Sequence, residues 1–313
     1  MTPLVRLIAA GKSRPLAEGV ALELGSDLAS CELERFPDGE LRPVVAPVRG
    51  DDVYLICSTG PPVESNLIEL MLLLDACKRA GARRLTAVVP YFGYARQERR
   101  VRPGEPIGAR LVAELLQTAG AERLVVVDPH TAGFEALSPV PTVVLSARTT
   151  LLASLRTIGE RSEVVVAPDL GATKLAEGLG RALDLPVAIV RKRRLSGSHV
   201  EAEELVGQVA GRRALIVDDM IATGATIEEA TRLLASHGAL PKPSVVATHG
   251  LFVRGARERL GALDLSRLLV TDTLSLPADV PCDTTVCSIA PLLAETIRRL
   301  NGEERLDDLE GFG

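Results

Sequence analysis

The stretch "ALIVDDMIATGATIEEATRLLASHG" (214–238) decides how the rest of the chain is read. An apolar run, Ala214 to Val217, ends in the paired acids Asp218 and Asp219, a loop of small residues follows, and helical spacing of apolar positions begins near Ile227. This is a buried strand entering a helix through a short turn. The start of such a helix presents free backbone N–H groups, and the hydroxyls of Thr223 and Thr226 add donors around Gly224, so the turn suits a phosphate dianion. Asp218 and Asp219 are then placed to accept hydrogen bonds from sugar hydroxyls or to hold a magnesium ion through water. The plainer reading is an ordinary strand-to-helix turn capped by Thr226, and the two acids weigh against it.

Outward from this stretch the same alternation recurs. The apolar runs "VRLIAA", "DVYLICS", "LTAVVPY", "RLVVVDP", "TVVLSA", "EVVVAPD", "VAIVRK", "RALIVDD", "SVVATHG" and "RLLVTDT" are separated by segments with apolar residues every three or four positions. Buried parallel strands joined by crossover helices give this pattern, so the fold class is α/β. Residues 55–89 and 215–248 both run strand, loop, helix, Gly-Ala, strand, which implies two similar α/β domains. The expected division is 1–147 and 148–313, with a last helix at about 290–301 packing back on the first domain. Only the second copy of the repeat carries acids in its loop, where the first has "STGPP", so a sugar phosphate belongs to the C-terminal half. Open parallel sheets bind ligands at the carboxyl ends of their strands. Tyr91, Asp128, His130, Asp169, Lys192, Asp218 and Asp219 all fall there, which favours an enzyme over a scaffold.

Composition narrows the partners. The 313 residues carry a net charge of -5, with 46% hydrophobic and 25% charged residues, and this balance gives no polybasic signature for nucleic acid or an anionic membrane. Cations cluster only locally, in "RQERRVR" (96–102) and "RKRR" (191–194), which suits a small anionic ligand. No apolar run is long enough to span a membrane and the N-terminus lacks a signal pattern, so a cytoplasmic protein is expected. Five cysteines without a CxxC argue for reduced thiols rather than disulfides or zinc.

Other motifs carry weaker signals. "AAGKS" (9–13) resembles a nucleotide P-loop, but the required glycine is Arg6. "FPDGELR" (36–42) is a hairpin tip whose Phe36 is a candidate stacking surface for a base. "PYFGYARQERRVRPGEPIG" (90–108) is expected to begin at a strand end and continue as a mobile cationic loop able to close over phosphates. "VVVDPH" (125–130) and "VVVAPD" (164–169) place His130 and Asp169 at strand ends, where they suit a divalent metal or a phosphate; His199, His237 and His249 are expected in loops or at helix ends. "RKRRLSGSHVE" (191–201) adds four cations and a flexible tip after a buried strand, a placement that calls for a bound anion.

Taken together, "FPDGE", "PYFGYARQER", "PDLGA", "KRR" and "VDDMIATGATI" resemble the ribose-phosphate pyrophosphokinases in order and spacing over nearly the whole chain. The resemblance implies two type I phosphoribosyltransferase-like domains, each a mainly parallel sheet flanked by helices, in a homo-oligomer built from dimers. It implies transfer of the β,γ-diphosphoryl group of ATP, with Mg2+, to the C1 hydroxyl of ribose 5-phosphate. By this likeness Phe36, Asp38, Glu40, Arg96 and Gln97 bind ATP, the first three across a subunit boundary. His130 and Asp169 serve the metal, Asp218 and Asp219 face the ribose, and Ala222, Thr223, Gly224, Ala225 and Thr226 cradle its phosphate. Lys192 and Arg194 match the family's catalytic flexible loop.

The chain departs from the family pattern where Ala222 and Ala225 replace an acid and a glycine, and "DPHT" and "PDLGA" are further variants. Several of these resemble the archaeal branch, so a missing acid at 222 does not imply a lost activity. Two other functions stay open on the sequence: a non-catalytic regulatory paralogue, against which Lys192, Arg194, His130, Asp218 and Asp219 count, and a phosphoribosyltransferase, against which the second domain and "YFGYARQER" count.

Overall fold

The computed structural model describes residues 4–9, 11–131, 133–194, 201–253, 255–277, 280 and 284–310. In chain order the elements begin with β1 (Val5–Ala9), α1 (Arg14–Leu24), β2 (Cys31–Arg35), β3 (Leu41–Val45), β4 (Asp52–Ile56), α2 (Val63–Arg79), β5 (Arg84–Val89), α3 (Gly108–Ala119), β6 (Arg123–Val127) and β7 (Thr142–Leu145). They continue with α4 (Arg148–Thr157), β8 (Val164–Ala167), α5 (Thr173–Leu183), β9 (Val187–Arg194), β10 (Glu201–Val206), β11 (Ala214–Ile221), α6 (Ala225–Ser236), β12 (Ser244–Gly250), α7 (Ala256–Gly261), β13 (Arg267–Thr271), β14 (Thr284–Cys287) and α8 (Ala290–Gly302). The chain divides into two compact units, one of residues 1–146, 273–275 and 288–312, the other of 147–272 and 276–287.

The first unit contains a five-stranded parallel sheet in the order β1-β4-β5-β6-β7. Every residue of β4 is buried, as expected for parallel strands covered on both faces. Helix α2 buries Leu67, Leu70, Leu74 and Cys77, spaced by three and four, and these join Val53, Leu55, Ala87 and Leu116 in one core. Burying each such leucine stabilises the fold by roughly 1.5–3 kcal/mol. Strands β2 and β3 form a separate antiparallel hairpin, with β3 against α2. Helix α8 follows the second unit in sequence yet packs on α1, where Arg298 donates to the Glu23 carbonyl at 3.5 Å.

The second unit contains a seven-stranded sheet in the order β10-β9-β8-β11-β12-β13-β14, parallel except for β10. Its core brings Val164, Val166, Ile216 and Val245 from the strands against Ile227, Ala230 and Leu234 of α6. Three expectations need correction here. The strand does not end at "VAIV" (187–190) before its four cations: β9 runs through Arg194 and pairs with β10, Lys192 opposite Glu203 and Arg194 opposite Glu201. The backbone of Lys192 and Arg194 is therefore strand rather than flexible loop, while the Ser-Gly-Ser tip and His199 lie outside the described residues. His249 belongs to neither a loop nor a helix end; it lies in β12, 1% exposed, opposite Met220.

The four cysteines among the described residues, Cys31, Cys57, Cys77 and Cys287, are free. Among the described residues no helix is long and apolar enough to cross a membrane.

Candidate active site

Strand β11 runs through both acids to Ile221, and only Ala222, Thr223 and Gly224 separate it from α6. Gly224 sits at the helix N-cap with φ of 76°, a backbone state that an L side chain adopts only at a cost. The turn is held from one side. Leu251 and Phe252 donate their N–H groups to the Ile221 carbonyl at 3.0 and 3.1 Å, Val253 donates to the Ala222 carbonyl at 3.0 Å, and Arg259 Nη1 donates to the Thr223 carbonyl at 2.7 Å. The first-turn N–H groups of α6 have no intrahelical acceptors; the Ala225 N–H is donated to Thr223 Oγ1 at 3.4 Å, and free N–H groups at a helix start are the kind of donors that suit an anion.

Asp218 is only 8% exposed. Burial raises its pKa well above the ordinary carboxylate range, and the charges of Asp219 and Asp169 push it the same way. The Asp219 N–H, donated to Asp218 Oδ1 at 2.9 Å, offsets part of this. Asp169 follows β8, the strand paired with β11, and its Oδ1 accepts the N–H groups of Gly171 and Ala172 at 2.8 and 3.1 Å. The second unit thus brings Asp169, Asp218 and Asp219 together. Among the described residues no three His, Cys, Asp or Glu side chains are grouped to hold a metal directly. The arrangement fits a hard cation that keeps part of its water shell and takes other oxygens from a phosphorylated substrate.

In the first unit the segment after β5 is packed inward rather than loose at its start. Tyr91, Phe92 and Ala95 are buried, and the Phe92 and Phe134 rings meet edge-on with centroids 4.6 Å apart. Thr59, 1% exposed, donates from Oγ1 to the Tyr91 carbonyl at 3.2 Å and accepts the Gly93 N–H at 2.7 Å. Ser58 Oγ accepts the Tyr91 N–H at 3.2 Å, and the Ser58 N–H donates to Ser13 Oγ at 2.8 Å. This hydroxyl brace was missed by sequence reasoning, and its signal was the small-hydroxyl pair in "STGPP" at the place where the second repeat has acids. Beyond the brace Arg96 is exposed. Gln97 accepts the Ala109 N–H on its carbonyl at 3.3 Å and lays its side-chain amide against Gly108 at the start of α3.

The tip between β2 and β3 presents Phe36, Asp38 and Glu40, all exposed. The Phe36 N–H donates to the Glu40 carbonyl at 2.8 Å, and the Glu40 N–H to Asp38 Oδ1 at 3.1 Å. The Arg42 guanidinium lies 5.2 Å from the centroid of the Phe36 ring. His130 is exposed beyond β6, in a turn whose Asp128 takes φ of 37°. His130 belongs to the first unit and Asp169 to the second. The side chains of Lys192 and Arg194 lie outside what is described.

Paired acids leading from a parallel strand through a short turn into a helix N-terminus, within a mainly parallel sheet flanked by helices, define a type I phosphoribosyltransferase-like α/β protein. Residues 5–120 match the family described as the N-terminal domain of ribose phosphate pyrophosphokinase, and residues 135–261 match the phosphoribosyl transferase domain. The chain is 38% identical over 298 residues to the ribose-phosphate pyrophosphokinase of Bacillus caldolyticus, covering 95% of this chain and 94% of that one. It is 39% identical to that of Aquifex aeolicus, covering 95% of this chain and 96% of that one. A crystal structure of phosphoribosylpyrophosphate synthetase from Mycobacterium smegmatis superposes with a TM-score of 0.89 at 36% identity, covering 96% of this chain and 99% of that one. The chain belongs to the ribose-phosphate pyrophosphokinase family.

Proposed function

We propose that the two units divide the reaction between them, the first binding ATP and the second anchoring ribose 5-phosphate. The enzyme transfers the β,γ-diphosphoryl group of ATP to the C1 hydroxyl of ribose 5-phosphate, giving 5-phosphoribosyl 1-diphosphate and AMP. The observation that carries the assignment is the β11–α6 turn, where two acids precede a helix N-terminus whose carbonyls are tied away on residues 251–259. Ala222 to Thr226 receive the 5-phosphate, and Asp218 and Asp219 accept hydrogen bonds from the ribose hydroxyls.

ATP lies with its adenine on Phe36, Asp38 and Glu40 and its phosphates near Arg96 and Gln97. The exposed hairpin supports adenine binding across a subunit boundary, in a homo-oligomer built from dimers. The family is of a kinase type that needs a metal; Mg2+ is the ion we assign, His130 and Asp169 would serve it, and it would supply charge neutralisation at phosphoryl oxygens. The carboxyl groups of Asp169 and Asp219 gathered beside Asp218 support a cation in this part of the second unit. The C1 oxygen attacks the β-phosphorus in line and the bond to the α-phosphate oxygen breaks, a reaction that depends on positioning and charge neutralisation. Lys192 and Arg194 neutralise the charge that gathers on the departing AMP. Reduced cysteines agree with a cytoplasmic place of work.

The test is product analysis with both substrates and magnesium. AMP and 5-phosphoribosyl 1-diphosphate are expected in equal amounts, and only when ribose 5-phosphate is present. AMP release without ribose 5-phosphate, or no AMP across a range of divalent ions and phosphate concentrations, overturns the proposal.

A further inference from the structure

We infer that Arg259 is a positioning residue for ribose 5-phosphate, fixing which way the Thr223–Gly224 peptide points its N–H. The inference rests on the assignment of the 222–226 turn to the 5-phosphate. Arg259 lies on α7, outside the turn; its Nη1 donates to the Thr223 carbonyl at 2.7 Å, and its Nε pairs with Glu228 of α6 at 2.8 Å. In a planar trans peptide the C=O and the following N–H point in opposite directions. Holding the Thr223 carbonyl on Arg259 therefore turns the Gly224 N–H away from α7.

The peptide needs such a tether because of the residue that follows it. Glycine accepts both signs of φ, so the unit before Gly224 can rotate by half a turn with little steric cost. In the rotated state a carbonyl oxygen would replace the N–H and repel a phosphate. The neighbouring carbonyls of Ile221 and Ala222 are secured by backbone N–H groups of residues 251–253, whereas the Thr223 carbonyl is secured by a side chain. Ala222 and Ala225 contribute no polar side-chain atom, and among the described residues Thr223 Oγ1 accepts the Ala225 N–H at 3.4 Å. Glu228 completes the device by holding the guanidinium from the side of α6, while Leu260 fills the space beneath Gly224.

The experiment is steady-state kinetics of the full chain for each substrate, with thermal unfolding alongside. Arg259→Ala is expected to raise KM for ribose 5-phosphate about tenfold, as loss of one charge-assisted hydrogen bond would, with KM for ATP within about twofold of wild type. Glu228→Gln should raise the same KM by a smaller factor, and the double variant should be no worse than Arg259→Ala, because Glu228 acts through Arg259. Arg259→Lys should recover part of the loss. A ribose 5-phosphate KM unmoved in Arg259→Ala, or both KM values rising together with a fall in Tm, overturns the inference. Should Arg259→Ala fail to fold, an unmoved ribose 5-phosphate KM in both Arg259→Lys and Glu228→Gln overturns it equally. Thr226→Ala separates the two levels of the argument. If it raises the ribose 5-phosphate KM while the Arg259 variants do not, only this inference fails; if the Thr226 and Arg259 variants all leave that KM unmoved, the assignment of the turn fails as well.

Discussion

Thr59 and Gly93 approach so closely that a Cβ on Gly93 would stand 2.5 Å from the Thr59 carbonyl oxygen, while the Gly93 N–H donates to Thr59 Oγ1 at 2.7 Å. The segment that leads to Arg96 and Gln97 is thus set on the loop after β4. Gly93→Ala should cost roughly 1–3 kcal/mol of stability by overpacking and raise KM for ATP. Thr59→Val should raise KM for ATP with a smaller loss of stability, and Thr59→Ser, which keeps the hydroxyl, should stay near wild type. Kinetics for both substrates check this, and an ATP KM unmoved in Gly93→Ala and Thr59→Val would detach the brace from ATP binding.

Asp218 sets a dependence of stability on pH. Burial, with Asp219 and Asp169 nearby, lifts its pKa from 3.8 to about 8 in the folded chain. Below the lower value the group is protonated in both states; between the two values the unfolded chain gives up this proton while the folded chain keeps it, so stability falls as pH rises across the window. Asp218→Asn, which still offers an oxygen to the Asp219 N–H, removes that penalty. Without divalent ions, its Tm relative to wild type should climb with pH across that window and level off above it. A difference in Tm that does not change with pH would contradict the shift.

Gly224 should tolerate no side chain. Its φ of 76° and the Leu260 Cγ, 2.9 Å from the place of a Cβ, act together. Gly224→Ala should lose about 1–2 kcal/mol of stability from the left-handed backbone alone and raise KM for ribose 5-phosphate several-fold, with KM for ATP unchanged. Equal changes in both KM values would show a general loss of fold instead.

Lys192→Ala should lower kcat by roughly a hundredfold or more with modest change in either KM, since a charge that meets the leaving group matters most in the transition state. The paired backbone of β9 at this position favours a well-folded variant. An unchanged kcat would remove Lys192 from the chemistry.

The sequence makes the central strands legible because β4, β8 and β12 are buried along their whole length and so carry a run of consecutive apolar residues, Val53 to Ile56, Val164 to Ala167 and Val245 to Ala247. The edges are harder. β10 reads "EAEELV" and β14 is four residues long, so neither shows the apolar run of a central strand. β9 is misjudged at its end because cations stop the apolar pattern while the pairing with β10 continues. Within the site, Asp218, Asp219 and the turn after them stand out as one contiguous motif. The supports do not: Ser13 reaches Ser58 across 45 positions and Arg259 reaches Thr223 across 36, distances over which periodicity carries no information.

Helix α8 packs on α1 after the chain has passed through the whole second unit. A ribosome therefore delivers every strand of the first sheet early and the helix that covers α1 late, so the first unit spends most of its synthesis with one flank open. Closing a contact over so long a stretch costs chain entropy that grows only slowly with length, but it makes the timing of the first unit's completion hostage to the second. Cutting the gene between the codons for Ser146 and Ala147 would yield one fragment lacking a helix and another carrying a spare one; two independently useful halves would require moving residues 288–310 as well.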